Sequence, residues 1–180
     1  IKKTALTLRA LLLKHLRCFE PMLDVENNNK APRFSFNQWI ENIEQQKDTG
    51  NIFITYTDKQ KATLSPLMTY WISTLSSNIK SLSRSRDRRI WLIIDELTKL
   101  GKINDFADTL QVARNYGLCV VTGYQNYSLV KEIYGVDLTK AVLALFSSSY
   151  YFRVGDDSHL AEEISKNLGN QEIRKMEGSK

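Results

Sequence analysis

Asp95 and Glu96 are adjacent carboxylates that follow five unbroken apolar residues, Ile90 to Ile94. Such a run reads as a buried parallel strand, and its end delivers both acids to the edge of a sheet. There an Asp suits a phosphate-bound Mg2+, which takes oxygen ligands and keeps several waters, so Asp95 is the candidate metal residue. A carboxylate one residue on suits the general base that polarises an attacking water, which makes Glu96 the candidate base. A solvated strand end or a helix cap is the plain alternative. Gln125 follows the next apolar run, Leu118 to Thr122, after Gly123 and Tyr124. If the two runs are neighbours, its neutral amide opens onto the same crevice, where it can hold a lytic water or sense a γ-phosphate; otherwise it is a polar loop residue. Arg114 ends the helix between the runs, either as a cation facing the helix C-terminal dipole or as a finger reaching a neighbouring subunit's nucleotide.

The elements that must position these residues alternate in type. After Gly50, strands are expected at Ile52–Tyr56, Ile90–Ile94, Leu118–Thr122 and Tyr150–Val154. Between and after them fall helical stretches. One opens at Ser65-Pro66 and carries Leu67, Trp71, Leu75 and Ile79, and one is capped by Asn104 and stopped at Gly117. The others run from Tyr127 to Tyr134, from Leu138 to Phe146, and from a cap at Asp156 or Asp157 to Gly169. Alternation of this kind implies crossovers, hence a mostly parallel sheet with helices on both faces and ligands beyond the C-terminal strand ends. Before Gly50 the pattern is helical throughout. Leu8, Leu12, Leu16 and Phe19 share a face up to Pro21, which ends or bends that helix, and Phe36, Trp39, Ile40 and Ile43 share another after Ser35.

Composition sets outer bounds. The chain has 180 residues, 42% of them hydrophobic and 25% charged, with a formal net charge of +5. That suffices for a sizeable core and is compatible with a nucleic-acid partner. No apolar run reaches the ~20 residues of a membrane span. Cys18 and Cys119 have no ligand-like spacing and read as reduced thiols, and His15 and His159 are isolated. Arg84, Arg86, Arg88 and Arg89 precede a strand and read as a solvated basic loop opposite the acids. Tyr70, Trp71, Tyr150, Tyr151 and Phe152 read as core rather than base-stacking surface.

The order apolar strand, Asp-Glu-Leu, Leu-Gly-Lys-Ile, a helix ending Ala-Arg-Asn-Tyr-Gly, then Val-Val-Thr-Gly-Tyr-Gln closely resembles the conjugative coupling proteins of type IV secretion, the TraD/TraG group of FtsK/HerA-like, RecA-fold motor ATPases. The later Glu-Ile-Tyr-Gly, the Phe152-Arg153 strand and the helix ending Leu168-Gly169 extend the resemblance over residues 50–172. It implies a hexameric, inner-membrane-anchored ATPase that uses ATP and Mg2+ to couple relaxosome DNA and protein substrates to a secretion channel. On it, Asp95 and Glu96 match the Walker B pair, Arg114 the arginine finger and Gln125 the sensor glutamine. Residues 1–48 match the end of an all-helical domain inserted in the motor, residues 50–172 the C-terminal part of the α/β, RecA-like nucleotide-binding domain, and 173–180 a tail. This part of the parent is expected on the cytoplasmic side.

One departure is large. The sequence has no Gly-x-x-x-x-Gly-Lys-Ser/Thr loop, which in the family lies upstream of the inserted helices, and it begins at Ile1, as expected of a fragment. Without that loop's amides and lysine, tight ATP binding and turnover by this polypeptide alone are not expected. A sheet without its first strand exposes an edge, so a strand-swapped dimer is expected to compete with the monomer. No DNA-contacting residue is assigned. A substrate- or partner-binding module with a silent ATPase core, and another RecA-fold motor, stay open as alternatives.

Overall fold

The computed structural model describes residues 2–22, 33–152 and 158–169. Two compact units divide it, residues 1–145 and residues 146–180.

In the first unit, α1 (Lys2–Leu16) runs into a 3-10 turn, Arg17–Phe19, and the backbone stays helical over 20–22, through Pro21. Pro21 thus does not end the helical path. Helix α2 (Phe36–Glu44) starts where Ser35 accepts the Gln38 N–H. Helix α3 (Asp58–Ile79) begins at Asp58 with Thr57 as its cap, eight residues before the expected start with Ser65 as cap and Pro66 as first residue. Thr57 and Gln60 form a capping box there, in which the Gln60 side-chain oxygen accepts the Thr57 N–H at 3.1 Å and the Thr57 hydroxyl at 2.9 Å. Pro66 is carried inside the helix instead. Ser65 there donates to the Leu100 carbonyl at 3.0 Å, and the Thr69 hydroxyl lies 2.6 Å from that carbonyl and 2.9 Å from the Ser65 carbonyl.

Among the described residues the sheet has two parallel strands, β1 (Ile90–Ile94) and β2 (Leu118–Thr122), in register from Ile90 against Leu118 to Ile94 against Thr122. Between them lie a 3-10 turn at Leu97–Lys99, α4 (Phe106–Val112) and a second 3-10 turn at Ala113–Tyr116. Asp105, in the left-handed region, precedes α4 in place of the expected Asn104 cap. Gly117 stops the second turn with φ 90°, as the sequence predicts. Then α5 (Tyr127–Tyr134) and α6 (Val136–Ala144) meet at Gly135. In the second unit, α7 (Ser158–Leu168) ends at Gly169, and its expected caps Asp156 and Asp157 lie outside the described residues.

Two expected strands are absent among the described residues. Ile52–Tyr56 pairs with nothing, and Phe53 is 86% exposed. Tyr150–Phe152 is not strand either, and Arg153 and Val154 lie outside the description. The aromatics expected in a core follow suit: Tyr70, Tyr150, Tyr151 and Phe152 are exposed, and only Trp71 is partly covered.

The core explains why β1 and β2 form. Ile90 and Leu118 from the strands, Ile79 and Leu82 from the end of α3 and beyond, Ile40 from α2 and Ala113 make one buried cluster. Trp39, Ile43, Leu92 and Val120 pack at its margin. Among the described residues, the sheet is covered on that face alone. On the other, Trp91, Ile93 and Val121 stand open, against the expectation that both faces are buried. Beyond the sheet's acid end, Leu97, Ile103, Phe106, Val130, Tyr134 and Val142 are buried in turn.

Candidate functional site

The strand ends set the geometry. Beyond the last paired residues, the Gly123 N–H donates to the Ile94 carbonyl and the Leu97 N–H donates to the Gly123 carbonyl, both at 2.8 Å. These bonds stitch the turn carrying Asp95 and Glu96 to the backbone leading to Gln125. The structure therefore brings three of the expected residues to one end of the sheet, the C-terminal end of both strands.

Each has a distinct setting. Asp95 is exposed, with no hydrogen bond or ion pair among the described residues. Glu96 is half-buried, and its Oε1 accepts the Thr98 hydroxyl at 2.5 Å and the Thr98 N–H at 3.4 Å. It caps the 3-10 turn, so the plain reading of an acid as a cap is part of its role. Gln125 is exposed, one residue before Asn126, whose side chain accepts the Ser128 and Leu129 N–H groups at the start of α5.

Arg114 lies elsewhere. Its 3-10 turn enters β2 from the N-terminal side, and the Ser85 N–H donates to the neighbouring Asn115 carbonyl. Arg114 thus shares the opposite end of the sheet with the Arg84–Arg89 loop, a five-residue strand away, or about 13 Å of rise. Within that loop Arg88 is committed to structure: it pairs with Glu44 at 2.8 Å and donates to the Ser83 carbonyl. Arg89 donates to the carbonyls of Arg86 and Arg88. Arg84 and Arg86 are exposed.

Two residues of this site have weak sequence signals. Gly123 looks like punctuation after a strand, yet a Cβ there would lie 2.3 Å from the Asp95 carbonyl oxygen. Thr98 carries no motif, and glutamate is not a favoured capping residue, so the pair is visible only in three dimensions.

The donor set suits one kind of metal. No group of three or more His, Cys, Asp or Glu side chains converges among the described residues, so no cage of protein ligands is built there. A single unpartnered carboxylate at a strand end fits Mg2+, which is commonly held by one or two acids together with substrate phosphates and waters. A shallow groove of about 510 Å³ adjoins the acid turn, lined in part by Lys61, Ser65, Thr98 and Lys99.

A parallel α/β sheet with paired acids beyond one strand and an amide beyond its neighbour puts these residues at the C-terminal strand ends, where α/β sheets bind their ligands. Sequence comparison narrows the class. The whole chain, residues 1–180, matches the family model described as the type IV secretion-system coupling protein DNA-binding domain, and the chain belongs to that family. It is 28% identical over 173 residues to the coupling protein TraD of Escherichia coli (strain K12), covering 96% of this chain and 24% of TraD. Among solved structures it resembles the bacterial conjugative coupling protein TrwBdeltaN70 in complex with sulphate, with a TM-score of 0.58 and 37% identity. Plasmid coupling protein TrwB in complex with ADP and Mg2+ matches with a TM-score of 0.56 at the same 37% identity. Each TrwB match covers 63% of this chain and 26% of the other. The chain thus spans about a quarter of the length of these relatives. None of the described helices is long and apolar enough to cross a membrane.

Proposed function

We propose that the chain supplies the metal and water side of an ATP-hydrolysis site in a hexameric, DNA-translocating coupling ATPase of conjugative type IV secretion. The observation that carries this is the junction of the Asp95-Glu96 turn with the backbone leading to Gln125, through Gly123, in a family whose member TrwB is solved with ADP and Mg2+. Asp95 would hold Mg2+ through water, and Glu96 takes a proton from the attacking water that Gln125 orients. Bound Mg2+ would neutralise charge on the phosphate oxygens. Arg114, at the far end of the sheet, serves a neighbouring subunit's site rather than its own. Residues 1–48 then belong to the helical insertion, 50–172 to the motor and 173–180 to a tail. DNA, relaxosome and channel components are the partners, at the cytoplasmic face of the inner membrane.

The sequence lacks a phosphate-binding loop, so the chain alone is expected to hydrolyse no ATP. Joined behind a coupling-protein segment bearing that loop, it is expected to show DNA-stimulated turnover that Glu96→Gln abolishes. A second reading, a partner-binding module with a silent ATPase, is favoured by α1, where Leu6, Leu8, Leu12 and Leu16 are all more than half exposed. Under it, the joined protein shows no turnover.

A further inference from the structure

We propose that Thr98 is a positioning residue for Glu96, holding the carboxylate in the orientation from which it accepts a proton. The inference rests on the reading of Glu96 as the base. A glutamate side chain has three rotatable torsions, and a base must be held within a fraction of an ångström to be effective. Here the holder is two residues away. The Thr98 hydroxyl and N–H both fall on Oε1 of Glu96, which leaves Oε2 as the oxygen to take the proton.

The holder is itself fixed. Leu97, between the two residues, is fully buried, and its N–H is bonded to the Gly123 carbonyl. Leu100, closing the same turn, is 6% exposed and its carbonyl receives the hydroxyls of Ser65 and Thr69 from α3. The β-branched Thr98 has few side-chain rotamers to choose from. The carboxylate is therefore referred through Thr98 to the core and to β2, which also leads to Gln125. A cap that only stabilised its turn would not need that register.

Thr98→Val keeps the shape and the N–H and removes the hydroxyl, and Thr98→Ser keeps the hydroxyl. In the chain joined to a phosphate-loop segment, Thr98→Val is expected to lower kcat by roughly 10- to 100-fold with KM for ATP within about twofold, the loss typical of a misplaced catalytic group. Thr98→Ser is expected to retain kcat within about threefold, since it keeps the charge-assisted bond. In the chain by itself, without nucleotide, the carbon-13 resonance of the Glu96 carboxyl is expected to move in Thr98→Val and to stay in Thr98→Ser. Wild-type kcat in Thr98→Val, a change in KM alone, equal impairment of both variants, or an unmoved carboxyl resonance in Thr98→Val overturns the proposal. Turnover that survives Glu96→Gln marks a different failure, that of Glu96 as the base, and the assignment of Thr98 falls with it.

Discussion

The Asp95 carbonyl oxygen occupies the place where the Cβ of any residue but glycine at position 123 would sit, only 2.3 Å away. The missing side chain lets the two strand ends come this close, and the backbone bonds of Gly123 to Ile94 and Leu97 fix the acid turn against the backbone leading to Gln125. A second glycine does the same at the other end. A Cβ at Gly117 would approach the Arg88 carbonyl oxygen to 2.6 Å, and φ there is +90°. In both contacts the obstructing atom is backbone, which cannot swing aside as a side chain can.

Gly123→Ala is therefore expected to destabilise the chain by about 2 kcal/mol, in the range of overpacking in a fixed environment. Gly117→Ala is expected to cost about 1 kcal/mol more, since left-handed strain is added to the clash. Urea denaturation of the two variants checks both values. Wild-type midpoints would mean that the strand ends are free to part.

Neighbouring residues of β1 should respond to very different degrees. Ile93 is 70% exposed and Ile94 is 6% exposed. Ile93→Thr keeps the β-branch and is expected to change stability by no more than about 0.5 kcal/mol, as at other surface positions. Ile94→Ala is expected to cost about 2–5 kcal/mol through lost burial and a cavity. Thermal melts of the pair decide whether the sheet has one covered face. Equal losses would show that the Ile93 face is covered in solution.

That contrast also marks what the sequence could disclose. The apolar runs of both strands, the Gly117 stop, and Asp95, Glu96 and Gln125 at one sheet end were all readable, because strand period, glycine and chain direction are local signals. Which face of a strand is covered is not local. Ile90 to Ile94 is apolar throughout, and only the partners present decide that Ile90 and Ile94 are buried while Trp91 and Ile93 are open. Ile52–Tyr56 fails for the same reason, since β-propensity without a neighbour to pair with leaves an extended segment. Pro66 misled because a proline marks a first turn by habit, whereas the capping box at Thr57 and Gln60 starts this helix earlier.

Arg114 and Glu96, at opposite ends of the sheet, make a prediction about assembly. If Arg114 serves ATP hydrolysis as proposed, its distance from Glu96 means that it completes a neighbour's site rather than its own. In the joined protein, Arg114→Ala and Glu96→Gln are each expected to abolish turnover. Mixing the two inactive proteins is expected to restore part of it, because some interfaces then pair an intact Arg114 with an intact Glu96. ATPase assays across mixing ratios give the result, and a mixture as inactive as its components removes Arg114 from the neighbour's site.

The remaining prediction concerns acid stability. Glu44, at the end of α2, is held below its ordinary pKa of 4.5, first by the Ser83 hydroxyl and, against some burial, by the Arg88 guanidinium and the Ser83 N–H. Arg88 lies two residues before β1, so the pair ties α2 to the sheet whose core it shares. A carboxyl with a depressed folded-state pKa binds its proton more weakly when folded than when unfolded. Its contribution is therefore fully present above about pH 4.5 and is lost as pH falls through the lower, folded value. Glu44→Gln lacks that titration. The stability gap between wild type and Glu44→Gln is expected to be constant near neutrality and to narrow as pH falls below about 4.5. Melting curves collected from pH 7 down to about 3 give the comparison, and two curves that stay parallel throughout would show that Glu44 is not paired in solution.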